Sequence, residues 1–374
     1  MSSNYQPERL PASASARQTR EYAKNTDVNA DFVILDDLDR SIVRALQVAP
    51  RASFSHLADT LGASEQTVAR RYRRLRAAGV VRVTAVVNTE ALGESTWVVR
   101  IRCTPNGTAA LAQALAKRQD IGWVSIGGGA AEVVCVARSR SAADREDLLL
   151  GQLARTAPVL GISAAMTLHQ FRAGRPDDWA GLAGALTSRQ EEELRSVAGG
   201  ADGARTPMSP LSPVGDPTQG IEIDDGDEAI LRQMVLDGRS SYAQLGACAV
   251  MSEGRAARRL HLLLQRGIAV VDVDLSSEAL GWKVTAQLWM TTAPADLHAC
   301  GTALAQLPDV TFAAAVTGPH NLTAVVVCRD HRALYRLVTE QVGAVPGIRT
   351  LEVSPRTRVV KQAGAMVARA RLAT

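Results

Sequence analysis

The chain first shows regular hydrophobic spacing in a segment that begins near residue 35. Leu38, Ile42 and Leu46 recur every four positions, and Pro50 ends the pattern. Because an α-helix has about 3.6 residues per turn, this spacing places the three side chains on one helix face. The acidic residues at its start suit the positive end of a helix dipole. We therefore predict a helix that ends at Pro50.

Two further helices are predicted from residues typical of helix ends. Ser53 and Ser64 are favourable N-caps, and Gly62 and Gly79 follow the segments as C-terminal stops. The second helix would carry Leu57 and Leu61 on one face, and the third would run to Ala78 with Val68, Tyr72 and Leu75 buried. Two short helices joined by a tight turn are typical of a helix-turn-helix.

The third predicted helix is strongly basic. Residues 64–82 contain six Arg and one Glu, a net charge of +5, whereas the whole chain carries only +4. A positive field concentrated on one helix suits a phosphate backbone. For a single helix, an arginine-rich face that is merely solvated explains the pattern equally well. The same arrangement recurs in a second copy, and this recurrence favours DNA binding over simple solvation.

The same pattern occurs twice in the chain. Residues 35–93 align without a gap with 223–281, and 20 of the 59 pairs are identical. A period of this length indicates two copies of one multi-element unit rather than a solenoid. In the second copy Gly254, His261 and Leu262 replace Gln66, Arg73 and Arg74, and residues 252–270 carry only +3. We therefore expect the first copy to supply most of the DNA affinity and specificity.

The predicted DNA contacts lie on the outward face of each third helix. Gln66, Thr67 and Arg70 are candidates for base edges, since Gln and Arg can make bidentate contacts to adenine and guanine. Arg73, Arg74, Arg76 and Arg82 are predicted to reach phosphates. The site residues predicted for DNA binding are Ser64, Gln66, Thr67, Arg70, Arg71, Arg73, Arg74, Arg255, Arg258 and Arg259.

A second type of module follows each helical segment. In the first copy, strands are predicted at 97–103, 132–137 and 162–168, with helices around Leu111 and at 142–156. In the second copy, strands are predicted at 285–290, 310–316, 322–328 and 348–353, with helices around Leu304 and Leu337. Strand, helix, two strands, helix, strand is the ferredoxin-like order. Because both modules lie on one chain, they could pair with each other.

This organisation resembles the Lrp/AsnC family of transcription regulators. The resemblance rests on the segments LDDLDRSIVRAL, SEQTVARRYRRLRAAGVV, NTEALG, VTGPHN and VPGIRTLEV. It implies an α+β fold of two tandem units, each a winged-type helix-turn-helix followed by a ferredoxin-like βαββαβ sensor domain. It also implies assembly into homo-oligomers through the sensor domains and binding of an amino acid or a related small metabolite at their interfaces.

The resemblance places candidate effector-binding residues in the turn between the second and third sensor strands. The family usually has a Gly-x-Tyr-Asp-like turn there, but neither copy keeps the aspartate. The corresponding residues are Gly127, Gly128 and Gly129 in the first copy and Gly318, His320 and Asn321 in the second. The glycines could instead serve only to allow a tight turn with positive φ.

These patterns divide the chain into seven regions. The predicted division is a disordered tail at 1–33, helix-turn-helix domains at 34–82 and 221–270, sensor domains at 83–171 and 271–362, a helix with a flexible linker at 172–220, and a C-terminal tail at 363–374. The linker prediction rests on the Gly, Pro, Ser and Asp content of 198–220, which buries too little apolar surface to offset ordering.

Composition argues against several other classes of protein, namely membrane, disulfide-rich and metal-binding proteins. The 46% apolar and 21% charged content is ordinary for a folded protein, and no apolar run approaches membrane-spanning length. The five cysteines form no CxxC pair and are predicted to be small buried hydrophobes, and the six histidines form no HExxH pair, so we expect no metal and no cofactor. We expect a cytoplasmic, nucleoid-associated protein that contacts no membrane.

Double-stranded DNA is the predicted partner, and ligand-modulated transcription regulation is the leading interpretation. A nucleoid-structuring protein without an effector is an alternative. A sirohaem-decarboxylase-like enzyme on the same fold is a second alternative, but such an enzyme would need clustered histidines and arginines in the sensor. His169, His298, His320 and His331 are not expected to cluster.

Overall fold

The computed structural model describes residues 35–141, 158–173, 180–198 and 223–373. The predicted N-terminal tail and the helix predicted at 142–156 lie outside these residues. So does the flexible linker predicted from the composition of 198–220, apart from residue 198.

The first helix triad consists of α1 (Asp37–Val48), α2 (Phe54–Leu61) and α3 (Glu65–Ala77). Each begins where the sequence offers a cap. Asp36 and Asp39 form a reciprocal capping box at α1, and Ser64 accepts a hydrogen bond from the Thr67 backbone N–H at α3. The predicted buried stripe of α3 is confirmed, because Val68, Tyr72 and Leu75 are at most 4% exposed. The triad is followed by β1 (Val81–Val87).

The described residues between 95 and 173 form a four-stranded sheet with one helix. The elements are β2 (Ser95–Cys103), α4 (Pro105–Ala116), β3 (Ile121–Gly127), β4 (Glu132–Ser139) and β5 (Val159–Ala173). The strands lie antiparallel in the order β3-β4-β2-β5, which is the ferredoxin-like order, and α4 packs on the apolar face that includes Val99 and Ile101. Strand β3 was missing from our prediction because Gly122 and Gly127 interrupt its apolar pattern.

Before the flexible linker, the spacing of Leu182, Leu186 and Leu194 predicts a helix at 179–197, and the structure has a helix only over the second half of this range. It is α5 (Ser188–Ala198), and it packs against the first helix triad. Leu194 is fully buried there, and the Arg44 guanidinium pairs with Glu191 at 2.8 Å. Leu182 and Leu186 are also buried but precede the helix. This segment therefore adds a fourth helix to the first triad.

The second helix triad consists of α6 (Asp225–Leu236), α7 (Tyr242–Cys248) and α8 (Glu253–Gln265), and it is followed by β6 (Ala269–Leu275). Strands β1 and β6 pair antiparallel along their whole length, from Val81 opposite Leu275 to Val87 opposite Ala269. The expectation of a winged-type unit is corrected here. The strand after each triad pairs with the strand after the other triad and forms no wing of its own.

A second ferredoxin-like sheet follows. Its elements are β7 (Val284–Thr292), α9 (Leu297–Ala305), β8 (Val310–Val316), β9 (Leu322–Cys328), α10 (His331–Arg336) and β10 (Ile348–Gln362). The order is β8-β9-β7-β10, and one face packs against α9 through residues such as Leu288 and Leu304. Strand β10 continues well past its predicted end at Val353.

Two long strands join the sheets into a ring. The first part of β5 pairs with β2 and its second part with β8, beginning at Thr167 opposite Val316. In the same way β10 pairs first with β7 and then with β3, beginning at Arg356 opposite Gly127. Each sheet keeps one face under its helices and turns the other toward its neighbour, where Val98 and Val134 pack with Trp289.

The predicted C-terminal tail is structured. It forms β11 (Ala365–Ala368) and β12 (Arg371–Leu372), and we call residues 363–373 the C-terminal strap. Met366 packs against the core of the first sheet, whereas the Leu372 N–H donates to the Gly79 carbonyl at 3.0 Å, just after α3. The strap therefore contacts both the sheet ring and the first helix triad. No helix among the described residues combines the length and apolar character needed to cross a membrane.

Candidate DNA-reading helices and sensor site

The outward face of α3 carries exposed polar and basic side chains. Gln66, Arg70 and Arg73 are exposed, and Thr67 is half-buried beside them. Within the described part of the chain, the Arg70 guanidinium makes no hydrogen bond or ion pair, and Arg73 donates only to the Ala69 carbonyl of its own helix. These groups are available to an external acceptor.

The corresponding helix α8 has a similar face. Arg255 and Arg258 are exposed, and neither makes a hydrogen bond or ion pair among the residues that the structure describes. Arg258 occupies the position that matches Arg70 in the repeat alignment. Ser64 and Ser252 precede the two helices as N-caps, although only the Ser64 hydroxyl accepts a capping bond.

Three arginines that the sequence predicts as DNA contacts are engaged inside the protein. Arg71 pairs with Asp36 at 2.5 Å and with Asp39 at 3.0 Å, and Arg74 also pairs with Asp39. The hydrogen bond from Arg71 holds the pKa of Asp36 below its usual range. Arg259 repeats the arrangement in the second triad, with its Nε 2.7 Å from Asp227. These ion pairs attach α3 to the start of α1, and α8 to the start of α6.

The predicted phosphate contact at Arg82 is wrong. Its side chain is 4% exposed, and it donates to the backbone carbonyls of Val235 and Ala363 at 3.0 and 2.9 Å. It also lies 3.4 Å from Asp274, whose pKa is raised to about 6 by burial. Arg82 therefore fastens the β1–β6 ribbon to the strap and to α6.

Arg76 is also engaged, in an ion pair with Asp237 at 2.9 Å. The +5 charge of the first copy is thus supplied largely by arginines with internal partners. Of the arginines predicted as DNA contacts, those without an ion pair among the described residues are Arg70 and Arg73 in the first triad and Arg255 and Arg258 in the second. The two surfaces are more alike than their net charges indicate.

Three of the predicted effector residues lie around one network of charged groups. Arg100 pairs with Glu132 and makes two hydrogen bonds to Glu352, one of them at 3.1 Å. The His320 Nε2 lies 3.9 Å from Glu352. Gly127 and Gly128 border the same network, because an added Cβ would lie 3.9 Å from a Glu132 oxygen and 3.2 Å from the Glu132 Cβ, respectively.

The aromatic rings of Trp289 and His320 lie next to this network. The Arg100 guanidinium lies 5.2 Å from the centre of the Trp289 ring, and the His320 ring lies 6.2 Å from that ring. The hydrogen bonds that Arg100 donates to Glu352 hold the pKa of that carboxyl below its usual range. The sequence prediction missed Arg100, Glu132, Glu352 and Trp289. The local signal for Arg100 and Glu352 is a charged residue that alternates with apolar residues along its strand.

The remaining predicted effector residues serve the turns. Gly129 and Gly318 have φ of +66° and +101°, and nothing lies within 4 Å of an added Cβ at either position. The Asn321 side chain accepts from the Thr292 N–H at 3.0 Å and donates to the Thr292 carbonyl at 2.9 Å. For these three residues the geometry supports the tight-turn interpretation.

A half-buried arginine lies on the face where the two sheets meet. Arg356 donates to the Gln287 side-chain oxygen at 2.7 Å, and its Nε has no partner among the described residues. Burial lowers the pKa of Arg356 to about 10.

Two sequence expectations about histidine and cysteine need correction. The His169 and His298 rings lie 5.9 Å apart, beside Phe171, so two of the four histidines do come together.

The cysteines are not all buried. Cys248 is exposed, whereas Cys135 and Cys328 are buried and burial raises the pKa of each thiol to about 12. Among the described residues, no cluster of three or more His, Cys, Asp or Glu side chains could hold a metal ion.

Comparison with known proteins matches two family domains. Residues 35–76 match the AsnC-type helix-turn-helix domain, and residues 285–366 match the Lrp/AsnC ligand binding domain. A solved structure of the siroheme decarboxylase NirDL superimposes with a TM-score of 0.55 and covers 87% of this chain and 93% of that one. Its identity is 13%, so this likeness shows the fold alone.

Curated relatives match over one part of the chain. An uncharacterized HTH-type transcriptional regulator of Pyrococcus abyssi is 30% identical over 142 residues, which are 38% of this chain and 90% of the relative. The HTH-type transcriptional regulator LrpA of Mycobacterium tuberculosis is 33% identical over 144 residues, 38% of this chain and 95% of the relative. With both domain types matched and nearly whole relatives covered, the protein belongs to the Lrp/AsnC family of helix-turn-helix transcription regulators.

Proposed function

We propose that this protein is a sequence-specific DNA-binding regulator that reads duplex DNA with α3 and α8. The observation that carries the proposal is the pair of exposed arginines, Arg70 and Arg258, at matching positions of two capped helices. Arg side chains on such a helix can reach guanine edges in the major groove. The neighbouring ion pairs of Arg71 and Arg259 hold each helix in position for this contact.

A tandem duplication explains the organisation of the chain. The repeat alignment supports it, as does the coverage of relatives, which are nearly complete when matched to 38% of this chain. The reciprocal pairing of β5 and β10 also fits two like modules that pair within one chain. On this basis the boundaries at 34–82, 83–171, 221–270 and 271–362 are the limits of four domains.

The experiment that tests DNA reading compares Arg70→Ala with Arg258→Ala. Duplexes selected by the wild-type protein from a random pool would serve as the probe. Losing a bidentate base contact costs about 1–3 kcal/mol, so each variant is expected to bind about ten- to a hundredfold more weakly. We expect the larger loss from Arg70→Ala, because Gln66 and Arg73 assist it while Gly254 and His261 occupy the matching positions.

Two controls sharpen this comparison. Arg189→Ala changes an exposed arginine on α5 and is expected to leave affinity unchanged. The wild-type affinity should fall steeply with salt, since each neutralised phosphate releases counterions. Binding without salt dependence, or equal affinity in all variants, would refute the proposal, and a larger loss from Arg258→Ala would reverse the ranking.

The effector is proposed to be an amino acid or a related small metabolite bound at the Arg100, Glu132, Glu352 and His320 network. A zwitterion needs both an anionic and a cationic partner, and this network offers carboxylates beside Arg100 and an imidazole. A ligand that binds the folded state raises the unfolding temperature. We expect one of the common amino acids to raise it in the wild type and not in His320→Ala. His331→Ala, an exposed change on α10, is the control, and no shift with any amino acid would contradict the proposal.

The alternative of a tetrapyrrole enzyme is kept because of the fold likeness and the close pair of His169 and His298. Purified protein mixed with iron-uroporphyrin III should then show a shifted absorbance band. That shift should disappear in a variant with both histidines replaced by alanine. An unshifted spectrum leaves DNA-dependent regulation as the function, either with an effector or as nucleoid structuring without one.

A further inference from the structure

The two helix triads contact each other through a reciprocal pair of arginines. Arg51 of the first triad donates to the carbonyls of Gly238 at 2.5 Å and Ser240 at 3.3 Å. Arg239 of the second triad donates to the carbonyls of Pro50 at 2.6 Å and Ala52 at 2.8 Å. Each arginine therefore bonds the residues on both sides of the other one.

The positions of these groups follow the repeat. Arg51 and Arg239 are 188 residues apart, as are Pro50 and Gly238, and Ala52 and Ser240. A contact in which residue i of one half bonds residue j of the other, and j bonds i, is the signature of a two-fold interface. Here that interface lies inside one chain.

Aromatic rings cover both arginines. The Arg51 guanidinium lies 5.5 Å from the centre of the Tyr242 ring, and Arg239 lies 4.5 Å from the Phe54 ring. Tyr242 and Phe54 are again 188 residues apart and are the first residues of α7 and α2. Arg239 also approaches Tyr72 of α3 at 5.6 Å. An arginine that stacks on a ring while its donors are fixed has little freedom to move.

We propose that Arg51 and Arg239 form a clamp that fixes the distance and orientation between α3 and α8, and so determines the half-site spacing that the protein accepts. The clamp residues are positioning residues and do not touch DNA. This inference rests on the proposed DNA-reading function. The clamp would make the two helix-turn-helix units bind DNA as one rigid unit with a fixed distance between α3 and α8.

The clamp restricts motion at the hinge between the two triads. The clamp lies where α1 ends and α2 begins, and at the matching turn between α6 and α7. The triads are also joined by Arg76 with Asp237 and by the β1–β6 ribbon, which is extended and antiparallel. A two-stranded ribbon alone can twist, whereas backbone carbonyls held from both sides restrict rotation of one triad against the other. A protein that binds two half-sites with two fixed helices needs this restriction, because half-sites lie on the same face of DNA only about every 10 base pairs.

The first test measures the geometry without DNA. Nitroxide labels at Glu65→Cys and Glu253→Cys, the exposed first residues of α3 and α8, would report their separation by pulsed electron resonance in a Cys248→Ser background. The full chain with Arg51 and Arg239 intact should give one narrow distance distribution. The double variant Arg51→Met and Arg239→Met should broaden it at least twofold. Arg232→Met, an exposed arginine of α6 outside the clamp, should leave it unchanged.

The second test measures spacing on DNA. A selected duplex would be lengthened by about 5 base pairs between its half-sites, which turns one half-site to the opposite face. The wild type is expected to lose about tenfold or more in affinity, and the double methionine variant less than about twofold relative to its own binding of the original duplex. The variant's loss should be similar for every insertion length, since it no longer enforces one spacing.

The outcomes separate the two proposals. If the wild type selects no duplex, DNA reading fails, while the resonance experiment still decides the clamp. If the double variant keeps a narrow distance distribution and the same spacing preference, the clamp is overturned. Should the methionine variant not fold, Arg51→Lys with Arg239→Lys keeps both charges but loses the paired donors. The same broadening is expected in this lysine variant, and its absence overturns the clamp.

Discussion

At the scale of single residues, the arginines of α3 and α8 divide into those that pair with other described residues and those that do not. The buried stripe of α3 follows from periodicity, so the sequence predicts it well. Which arginines remain free does not follow from periodicity. Arg71 and Asp36 are 35 residues apart, and their ion pair exists only because α1 and α3 cross at the capping box. The same reasoning explains why Arg82 looks basic and exposed in the sequence but is buried by the ribbon and strap.

The buried carboxylate at the centre of these pairs leads to a prediction. Asp39 is fully buried and pairs with both Arg71 and Arg74, so Asp39→Asn leaves their charges partly uncompensated. Breaking a buried pair costs about 3 kcal/mol, which we expect as the loss in free energy of unfolding by urea. The control Asp37→Asn alters an exposed carboxylate of the same turn and should change it by less than about 0.5 kcal/mol. Equal effects of the two variants would show that the pairs contribute nothing.

At the scale of elements, prediction succeeds where a local signal marks a helix end or a continuous apolar run. The helices with Ser or Asp caps and most strands of the second sheet lie close to their predicted positions. Strand β3 was missed because its glycines dilute the alternation, and its place in the sheet is determined by pairing with β4 and β10. The length of β10 was underestimated because its second half is polar, and its extended conformation depends on a strand 229 residues earlier in the chain, as Arg356 opposite Gly127 shows.

The strap gives an element-scale prediction with a matched control. Gly79 and Gly267 follow α3 and α8 at corresponding positions, and both have φ of +65°. An added Cβ at Gly79 would lie 2.7 Å from the Leu372 carbonyl oxygen, whereas nothing lies within 4 Å at Gly267. Gly79→Ala should therefore lower the free energy of unfolding by about 1–2 kcal/mol more than Gly267→Ala.

A shortened chain isolates the cause of that difference. Removing residues 371–374 takes away the contacting atoms, so in this background both alanine variants should cost the same. The measurement is urea unfolding followed by circular dichroism. A difference that persists after this deletion would mean that the two glycines differ for another reason.

At the scale of the whole molecule, the sheets depend on each other because β5 and β10 each belong to both. The sequence analysis recognised that two like modules could pair within the chain, but not that two strands would be shared. Register between distant strands is set by the packing of both faces, and a single strand carries too little information to specify it. Likewise, the charged network around Arg100 draws on strands from both sheets and was invisible in any local window.

Shared strands predict a single cooperative unit. Hydrogen exchange should show the same opening free energy for the protected amides of β4, in the first sheet, and of β9, in the second, because neither sheet is complete without the other's long strand. Mass spectrometry of peptides covering 132–139 and 322–328 would measure this. Two clearly different free energies, or loss of one sheet before the other in urea, would contradict it.

The covalent joining of the ring has a consequence for dosage inside a cell. A regulator assembled from separate subunits dissociates on dilution, and its paired form then varies with the square of its abundance. In this protein both sheets belong to one polypeptide, so their pairing is independent of copy number. Even a single molecule carries the complete pair of α3 and α8, which would allow a gene to be controlled by a protein present at very low abundance.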